Sequence, residues 1–283
     1  MICTSRQLKD KVRNISDGNS IKATMMIRNF IMERFLERVS ISKYRNNFIL
    51  KGGMLVASII GVNMRATIDI DTTVKALPLT ETEVKKIIEE ICNIKVEDNV
   101  NFKIQSTKTI MEDFDYPGIR IMLEATLDRM RQPTKIDIST DDVITPRAID
   151  YNYKLMFEDR TISVLTYTKE TLLSEKIQTI LNRGIANTRL RDFYDVYCII
   201  NLYEDQIDGS VLFNAFNATC KKRETVYSND DINCILKLLV EDSHMKDLWE
   251  QFRKNSFYVG NLMWNDVIIS VINTIQKYLL VEK

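Results

Sequence analysis

The stretch that decides the fold is residues 48–75, FILKGGMLVASIIGVNMRATIDIDTTVK. Its short apolar start predicts a strand, which continues directly into the KGG of residues 51–53 and a small-residue segment that can be helical. Residues 67–75 alternate β-branched and polar side chains with period two, which is typical of a strand with one apolar face. The predicted order is therefore strand, glycine turn, helix and strand.

Helical patterns lie on both sides of this stretch. Over residues 20–39, apolar side chains recur at intervals of three and four with charged residues between them, which predicts an amphipathic helix. A capping-box pattern at residues 80–83 opens a second helix that ends near Cys92. Several short β-rich runs follow over residues 100–165, separated by turn-like sequences at 115–118 and 131–133. These runs predict a mostly antiparallel or mixed sheet.

The back half of the chain has helical patterns alone. Helices are predicted over residues 168–183, 191–202, 230–252 and 262–280. The fold class is therefore α/β, in the α+β arrangement, with a mixed-sheet domain at residues 1–166 and an all-helical lobe at 167–283. Since no Pro-, Gly- or Ser-rich linker separates the halves, we expect them to pack closely around a cleft.

Composition limits the classes of function. The 283 residues are 45% hydrophobic and 28% charged, as in globular proteins, and 39 basic residues balance 39 acidic ones, so any polyanion site is local. Five unclustered cysteines indicate reduced thiols in a cytoplasmic protein. The polar opening does not fit a secretory signal, and no run approaches the ~20 apolar residues of a membrane span. We expect a cytoplasmic protein without a membrane anchor.

The chain has one histidine, His244. This argues against a His-rich zinc site, a Ser-His-Asp triad and a phosphohistidine relay. Carboxylates and lysines are therefore the groups that we expect to carry any catalysis.

Two acids stand out on the second predicted strand. Asp69 and Asp71 are separated by one residue, so both side chains point to the same face of the strand. Two like charges so placed favour a bound cation, and Mg²⁺ is the hard, oxygen-seeking ion that pairs of carboxylates share with phosphates. Solvated acids on a surface strand are the alternative. A later acid, Asp137 in TKIDIST, could complete a two-metal clamp, or could be a structural cap or a solvated acid.

Neighbouring residues favour a phosphate site over solvated acids. Gly52 and Gly53 after Lys51 let backbone N–H groups approach an anion at a helix N-terminus, although a plain turn remains the alternative. Arg65 and Thr67, just before Asp69, add a cation and a hydroxyl.

The helical half contributes a second set of charged residues. Lys176 and Arg183 lie two turns apart on one predicted helix and suit a triphosphate, with a solvated face and Glu175 as a partner being the alternative. Asp192 and Asp195 share one face of the next helix, where simple capping of the helix N-terminus is the other interpretation.

The chain resembles the AbiEii/AbiGii family of nucleotidyltransferase toxins, over about Leu36 to Leu202. The resemblance rests on three blocks in order: FILKGGMLVASIIGVNMRATIDIDTTVK, KIDISTDDVITP and ETLLSEKIQTILNRGIANTRLRDFYDVY. It implies a minimal nucleotidyltransferase fold whose helical lobe closes over the nucleotide, an NTP donor, and one or two Mg²⁺. It also implies a tRNA 3′ end as acceptor, an antitoxin encoded nearby, and a role in abortive infection, that is, phage defence. We expect a monomer.

Carried over residue by residue, the resemblance assigns roles to the candidates above. Asp69 and Asp71 would bind metal, and Asp69, Asp71, Lys176 and Asp192 would be catalytic. Asp137 is added as a third metal ligand from its place in TKIDIST and not from the resemblance. The remaining candidates, which would bind nucleotide or add an acid, are Lys51, Gly52, Gly53, Arg65, Thr67, Arg183 and Asp195. The final motif, often Lys-Asp in relatives, is Arg191-Asp192 here. Transfer to a protein hydroxyl, NTP binding without transfer, and a catalytically silent interaction protein remain open alternatives.

Overall fold

The computed structural model describes residues 1–77, 80–110, 118–140 and 142–280, and the chain divides into two compact units. The first comprises Met1–Asp142 and Ile149–Thr166, and the second Val143–Ala148 and Tyr167–Lys283. In the described part of the chain, no helix has both the length and the apolar character that a membrane span requires.

The first unit combines helices with one sheet. Its helices are α1 (Ser5–Ser16), α2 (Ser20–Ile41), α3 (Gly52–Ile60) and α4 (Glu81–Cys92). Its strands are β1 (Phe48–Lys51), β2 (Asp69–Val74), β3 (Asn101–Ile110), β4 (Gly118–Leu127), β5 (Met130–Thr140), β6 (Ile149–Lys154) and β7 (Thr161–Thr166).

The described strands form a mixed sheet in the order β3-β4-β5-β2-β1-β7-β6. The pairs β2–β5 and β1–β7 are parallel, and the other pairs are antiparallel. This mixed sheet, followed by helices alone, confirms the predicted fold class. It also makes β2, the strand of the paired acids, a central strand between β1 and β5.

Two details of the β region differ from the sequence prediction, and a third cannot be compared. The expected turn at residues 131–133 lies inside β5, because the chain reverses earlier, at Asp128, which takes a positive φ of 50°. The sequence YKLMF at residues 153–157 is one of the β-rich runs expected as strands, but β6 begins at Ile149 and already ends at Lys154. The turn predicted at 115–118 lies, apart from Gly118 at the start of β4, outside the described residues.

Helix α2 confirms the helix predicted over residues 20–39, but it is buried on all sides over much of its length, so the prediction that it is amphipathic is wrong. Arg34 and Arg38 are at most 2% exposed. Arg34 donates to Glu158 at 2.9 Å, and both terminal nitrogens of Arg38 bond to Asp98, at 2.7 and 2.9 Å. Buried charges are tolerated when they are paired and hydrogen-bonded in this way.

Helix α1, which the sequence analysis did not predict, covers one part of the core. Leu8 and Val12 of α1 belong to a buried cluster with Phe30 and Ile31 of α2. Thr4 caps the helix by accepting from the backbone N–H of Gln7, whose side chain bonds back to the cap.

The second unit is helical. Its helices are α5 (Lys169–Arg183), α6 (Leu190–Tyr203), α7 (Gly209–Lys222), α8 (Asn229–Glu241), α9 (Ser243–Asn255) and α10 (Trp264–Leu279). Helix α7 was not predicted. The single helix expected over 230–252 is two helices, because Asp242 ends α8 and caps α9 by accepting from Met245 N–H at 2.9 Å.

Candidate active site

Four charged residues lie in one row across adjacent strands of the first unit. Lys51 of β1 pairs with Asp71 of β2, Asp71 with Asp137 of β5, and Asp137 with Arg120 of β4. Because directly paired residues point to the same face of a sheet, the four side chains share one face. The row therefore places two carboxylates side by side between two cations.

A second row lies two residues away along the central strands. Asp69 pairs with Lys135, and Lys135 Nζ lies 2.8 Å from Asp69 Oδ2 and 3.5 Å from Asp137 Oδ2. The structure thus brings the three acids predicted as metal ligands, Asp69, Asp71 and Asp137, onto adjacent positions of two strands.

Arg120 holds Asp137 by a bidentate ion pair. Its Nε donates to Asp137 Oδ1 at 2.8 Å, and its Nη2 donates to Oδ2 at 3.0 Å. The planar guanidinium matches both carboxylate oxygens at once, which makes this a strong and directional contact. Both oxygens of Asp137 are therefore already bonded to protein groups.

The glycine turn packs directly against these acids. Gly52 has a φ of +62°, and a Cβ added there would lie 2.7 Å from both Cβ and Cγ of Asp71. Gly53 N–H approaches Asp71 Oδ2 at 3.4 Å. Gly52 is thus needed both for its left-handed backbone and for the close approach of α3 to Asp71.

Arg65 and Thr67 lie on the other side of the turn. A Cβ added at Gly53 would lie 2.7 Å from Thr67 Oγ1 and 3.3 Å from Arg65 Nη2. Arg65 is buried and bonds to the Ala66 carbonyl. Thr67 precedes β2, which begins at Asp69, so the prediction that the strand starts at Thr67 is wrong by two residues. Both side chains therefore lie close against Gly53 of the turn.

Lys51 is buried and pairs with Asp142. The carboxylate of Asp142 also accepts a hydrogen bond from Ser139 Oγ at 2.7 Å. Asp142 follows the end of β5 at Thr140, and its neighbour Asp141 lies outside the described residues.

The electrostatics of this face favour a cation. Burial raises the pKa of Asp71 above its ordinary value, and the charges of Asp137 and Asp69 raise it further, whereas Lys51 and the Gly53 N–H oppose the rise. Within the described ranges, no three acidic, His or Cys side chains are placed to hold a metal ion together. Asp69 and Asp71 do offer a pair of carboxylates on one face, and such hard oxygens are the ligands that Mg²⁺ prefers.

The second unit has its own buried charged cluster. Lys176 Nζ of α5 donates to Asp192 Oδ1 at 2.9 Å and to Asp195 Oδ2 at 2.6 Å, both on α6. Arg189 Nε lies 3.3 Å from Asp192 Oδ2. The structure brings Lys176, Asp192 and Asp195 together, whereas Arg183 is an exposed residue at the end of α5.

Sequence analysis missed four of the residues that hold these side chains: Arg120, Lys135, Asp142 and Arg189. Lys135 stands two residues before Asp137 in TKIDIST, and the same period-two argument that places Asp69 beside Asp71 would have placed it on the acidic face. Arg120 is a single charge within the apolar run GIRIMLEATL. For Asp142 and Arg189, the sequence carries no comparable signal.

Comparisons with solved structures give distant neighbours. Two Helicobacter pylori proteins, one described as a nucleotidyltransferase and the other named JHP933, align with TM-scores of 0.49 and 0.48 at 13% and 14% identity. The alignments cover 90% of this chain in both cases, and 96% and 93% of those chains. An antigenic nucleotidyltransferase-like protein from Paracoccidioides brasiliensis has a TM-score of 0.38 at 14% identity, over 84% of this chain and 95% of that one.

Curated proteins give no match. The family model of the nucleotidyl transferase AbiEii toxin, type IV toxin–antitoxin system, matches residues 34–268, which is most of the chain and includes every candidate residue discussed above. This match confirms the resemblance found in the sequence. The chain is thus a nucleotidyltransferase that belongs to the AbiEii family of type IV toxin–antitoxin toxins.

Proposed function

We propose that this nucleotidyltransferase toxin transfers nucleotide from an NTP to the 3′ end of tRNA in an Mg²⁺-dependent reaction, which blocks translation and growth in phage defence. The observation that carries the proposal is the position of Asp69 and Asp71 on one sheet face, with Asp71 against the Gly52–Gly53 turn that opens α3. Membership of a type IV toxin–antitoxin family implies an antitoxin partner.

Asp69 and Asp71 are the proposed holders of one or two Mg²⁺. Their carboxylates lie on a face that they share with a third acid, Asp137, and repulsion among the three negative charges favours binding of a cation. When bound, Mg²⁺ would neutralise charge on the NTP phosphates and lower the pKa of the acceptor hydroxyl. Asp137 remains a candidate third ligand, whose two oxygens would share their remaining lone pairs with the metal while they accept from Arg120.

The glycine turn is the proposed phosphate contact of the first unit. Side chains are absent at Gly52 and Gly53, so the N–H groups at the start of α3 can approach a phosphate, and the helix dipole favours negative charge there. Arg65 and Thr67 support the turn, because they pack against Gly53. Lys51 supports it from the preceding position, where it pairs with Asp71 across β1 and β2.

In the second unit, Lys176 and Arg183 are the proposed ligands of the β and γ phosphates. Asp192 would orient the Lys176 ammonium, with which it shares a 2.9 Å hydrogen bond. Asp195 accepts from the same ammonium and would fix its position further.

The test is a labelling reaction. The purified chain is incubated with each α-³²P-labelled NTP, Mg²⁺ and total bacterial tRNA, and the products are resolved on a denaturing gel. Asp69→Asn is expected to lower labelling of tRNA at least a thousandfold, which is about 4 kcal/mol of transition-state stabilisation, without unfolding the protein. Asp159→Asn is the matched control, since Asp159 is an exposed acid of the same unit that pairs with Lys154.

Each other outcome has a distinct meaning. Label that resists nuclease and is removed by protease would replace tRNA by a protein hydroxyl as the acceptor. Binding of NTP with Mg²⁺, but without release of pyrophosphate, would favour a nucleotide sensor. A folded Asp69→Asn protein with full activity would refute the role of Asp69.

A further inference from the structure

We propose that Lys135 is a tethered cation that neutralises Asp69 in the metal-free protein and leaves this carboxylate when a divalent cation binds. The inference rests on the metal site proposed above at Asp69 and Asp71. It makes Lys135 a positioning residue, which sets how strongly the site binds metal but does not itself bind metal or nucleotide.

The geometry places Lys135 between two acids. Its Nζ lies 2.8 Å from Asp69 Oδ2 and 3.5 Å from Asp137 Oδ2. The side chains of Lys135 and Asp69 are each 24% exposed, so water and ions reach the pair. The ammonium therefore lies against a carboxylate oxygen that the proposed metal needs, at a place accessible to solvent.

Lys135 differs from Arg120, another cation of this face, in how firmly it is held. Arg120 bonds to both oxygens of Asp137 with a rigid planar fork. Lys135 has a single ammonium on a flexible four-carbon stem, and a change of its side-chain rotamer requires little free energy. Since Asp137 Oδ2 is already 3.5 Å away, a small rotation moves the ammonium from Asp69 towards Asp137 without removing its charge from the face.

This arrangement has a consequence for metal affinity. Without metal, Lys135 reduces the repulsion among Asp69, Asp71 and Asp137, which lie at adjacent positions of β2 and β5. A divalent cation at Asp69 competes with the ammonium for Oδ2 and is repelled by it at short range. Free metal therefore binds weakly, and metal that arrives with the negative charges of a triphosphate binds more strongly.

The experiment measures binding of Mn²⁺ to the full chain without nucleotide, from the electron paramagnetic resonance signal of free Mn²⁺. Lys135→Met is expected to tighten the Kd for Mn²⁺ at least tenfold, or about 1.4 kcal/mol. Lys135→Arg retains the charge and is expected to bind as weakly as the wild type. Lys154→Met is the matched control, because Lys154 is a strand lysine of the same unit that pairs with Asp159 at 3.5 Å.

Two further measurements separate a charge effect from a folding defect. Lys135→Gln, a second neutral variant, has to show the same tightening as Lys135→Met. Addition of Mn²⁺ is expected to raise the Tm of both neutral variants by more than it raises the Tm of the wild type. Adding Asp69→Asn to Lys135→Met is expected to abolish the tight binding.

The failures can be told apart. An unchanged or weaker Kd in both neutral variants, with binding that still depends on Asp69, would overturn the role of Lys135 and leave the metal site standing. Absence of Mn²⁺ binding in every variant, or binding that Asp69→Asn leaves intact, would refute the metal site itself and this inference with it.

Discussion

Replacing Gly52 with alanine tests whether the close packing of α3 on Asp71 is required for activity. At a φ of +62°, a residue with a Cβ loses about 1–2 kcal/mol relative to glycine. The new Cβ would also lie 2.7 Å from Cβ and Cγ of Asp71, closer than the 3.0 Å that real Cβ contacts keep. Relieving this overlap moves Asp71 or α3 and adds a strain of about 1–3 kcal/mol.

The expected result is a free energy of unfolding lowered by about 2–5 kcal/mol in total, and transfer to tRNA lowered at least about a hundredfold by displacement of Asp71. Urea unfolding followed by circular dichroism measures the first quantity, and the labelling reaction measures the second. Gly18→Ala is the matched control, because Gly18 has a φ of +76° and its added Cβ would meet nothing within 4 Å. Gly18→Ala should therefore lose only the backbone contribution and keep full activity.

The comparison of Gly52→Ala with Gly18→Ala shows whether the contact between the glycine turn and Asp71 is required. If Gly52→Ala loses no more stability than Gly18→Ala and transfers nucleotide at the wild-type rate, the close approach of the turn to Asp71 is not required, and the reasoning is refuted.

Two more predictions concern buried charges. Lys176→Met removes the ammonium that neutralises the buried carboxylates of Asp192 and Asp195, and should lower the free energy of unfolding, measured by urea unfolding, by about 3–5 kcal/mol. A loss below about 1 kcal/mol would contradict the proposed importance of these two ion pairs. Burial raises the pKa of Glu33 from 4.5 to about 8. Between these two pH values the folded protein keeps a proton on Glu33 that the unfolded chain loses. The stability that this protonated carboxyl contributes is therefore complete below pH 4.5 and disappears as the pH rises to about 8. In the wild type, the free energy of unfolding should therefore fall by at most about 1.4 kcal/mol per pH unit between pH 4.5 and about 8, and Glu33→Gln should make this fall less steep. Identical plots of unfolding free energy against pH for the two proteins would show that Glu33 is ionised when folded.

Local patterns were enough to predict the central part of the site. The order of β1, α3 and β2 follows from a short apolar run, two glycines and a period-two alternation within residues 48–75. That Asp69 and Asp71 share a face follows from the period alone. Such inferences need no knowledge of what lies beside the strand.

Cross-strand neighbours could not be predicted in the same way. Lys135 and Arg120 reach the acids because β5 pairs in parallel with β2 and antiparallel with β4. Strand order is decided by packing between distant segments, and no local periodicity encodes it. The charges of α2 show the same limit, since Arg34 pairs with Glu158 and Arg38 with Asp98, two acids far away in sequence, in addition to the local pair of Arg34 with Glu37.

The row of charges across four strands also has a consequence for the order of events during synthesis. Lys51, Asp71, Arg120 and Asp137 come from strands that span residues 48–140, and the parallel β2–β5 pair closes a long loop. Contacts of such sequence separation form slowly, because loop closure precedes the stabilising pairing. A nascent chain that has not yet added β5 to the sheet lacks Asp137 and Lys135 beside its acids. The toxin therefore acquires its charged row only after nearly half of the chain has emerged from the ribosome and paired.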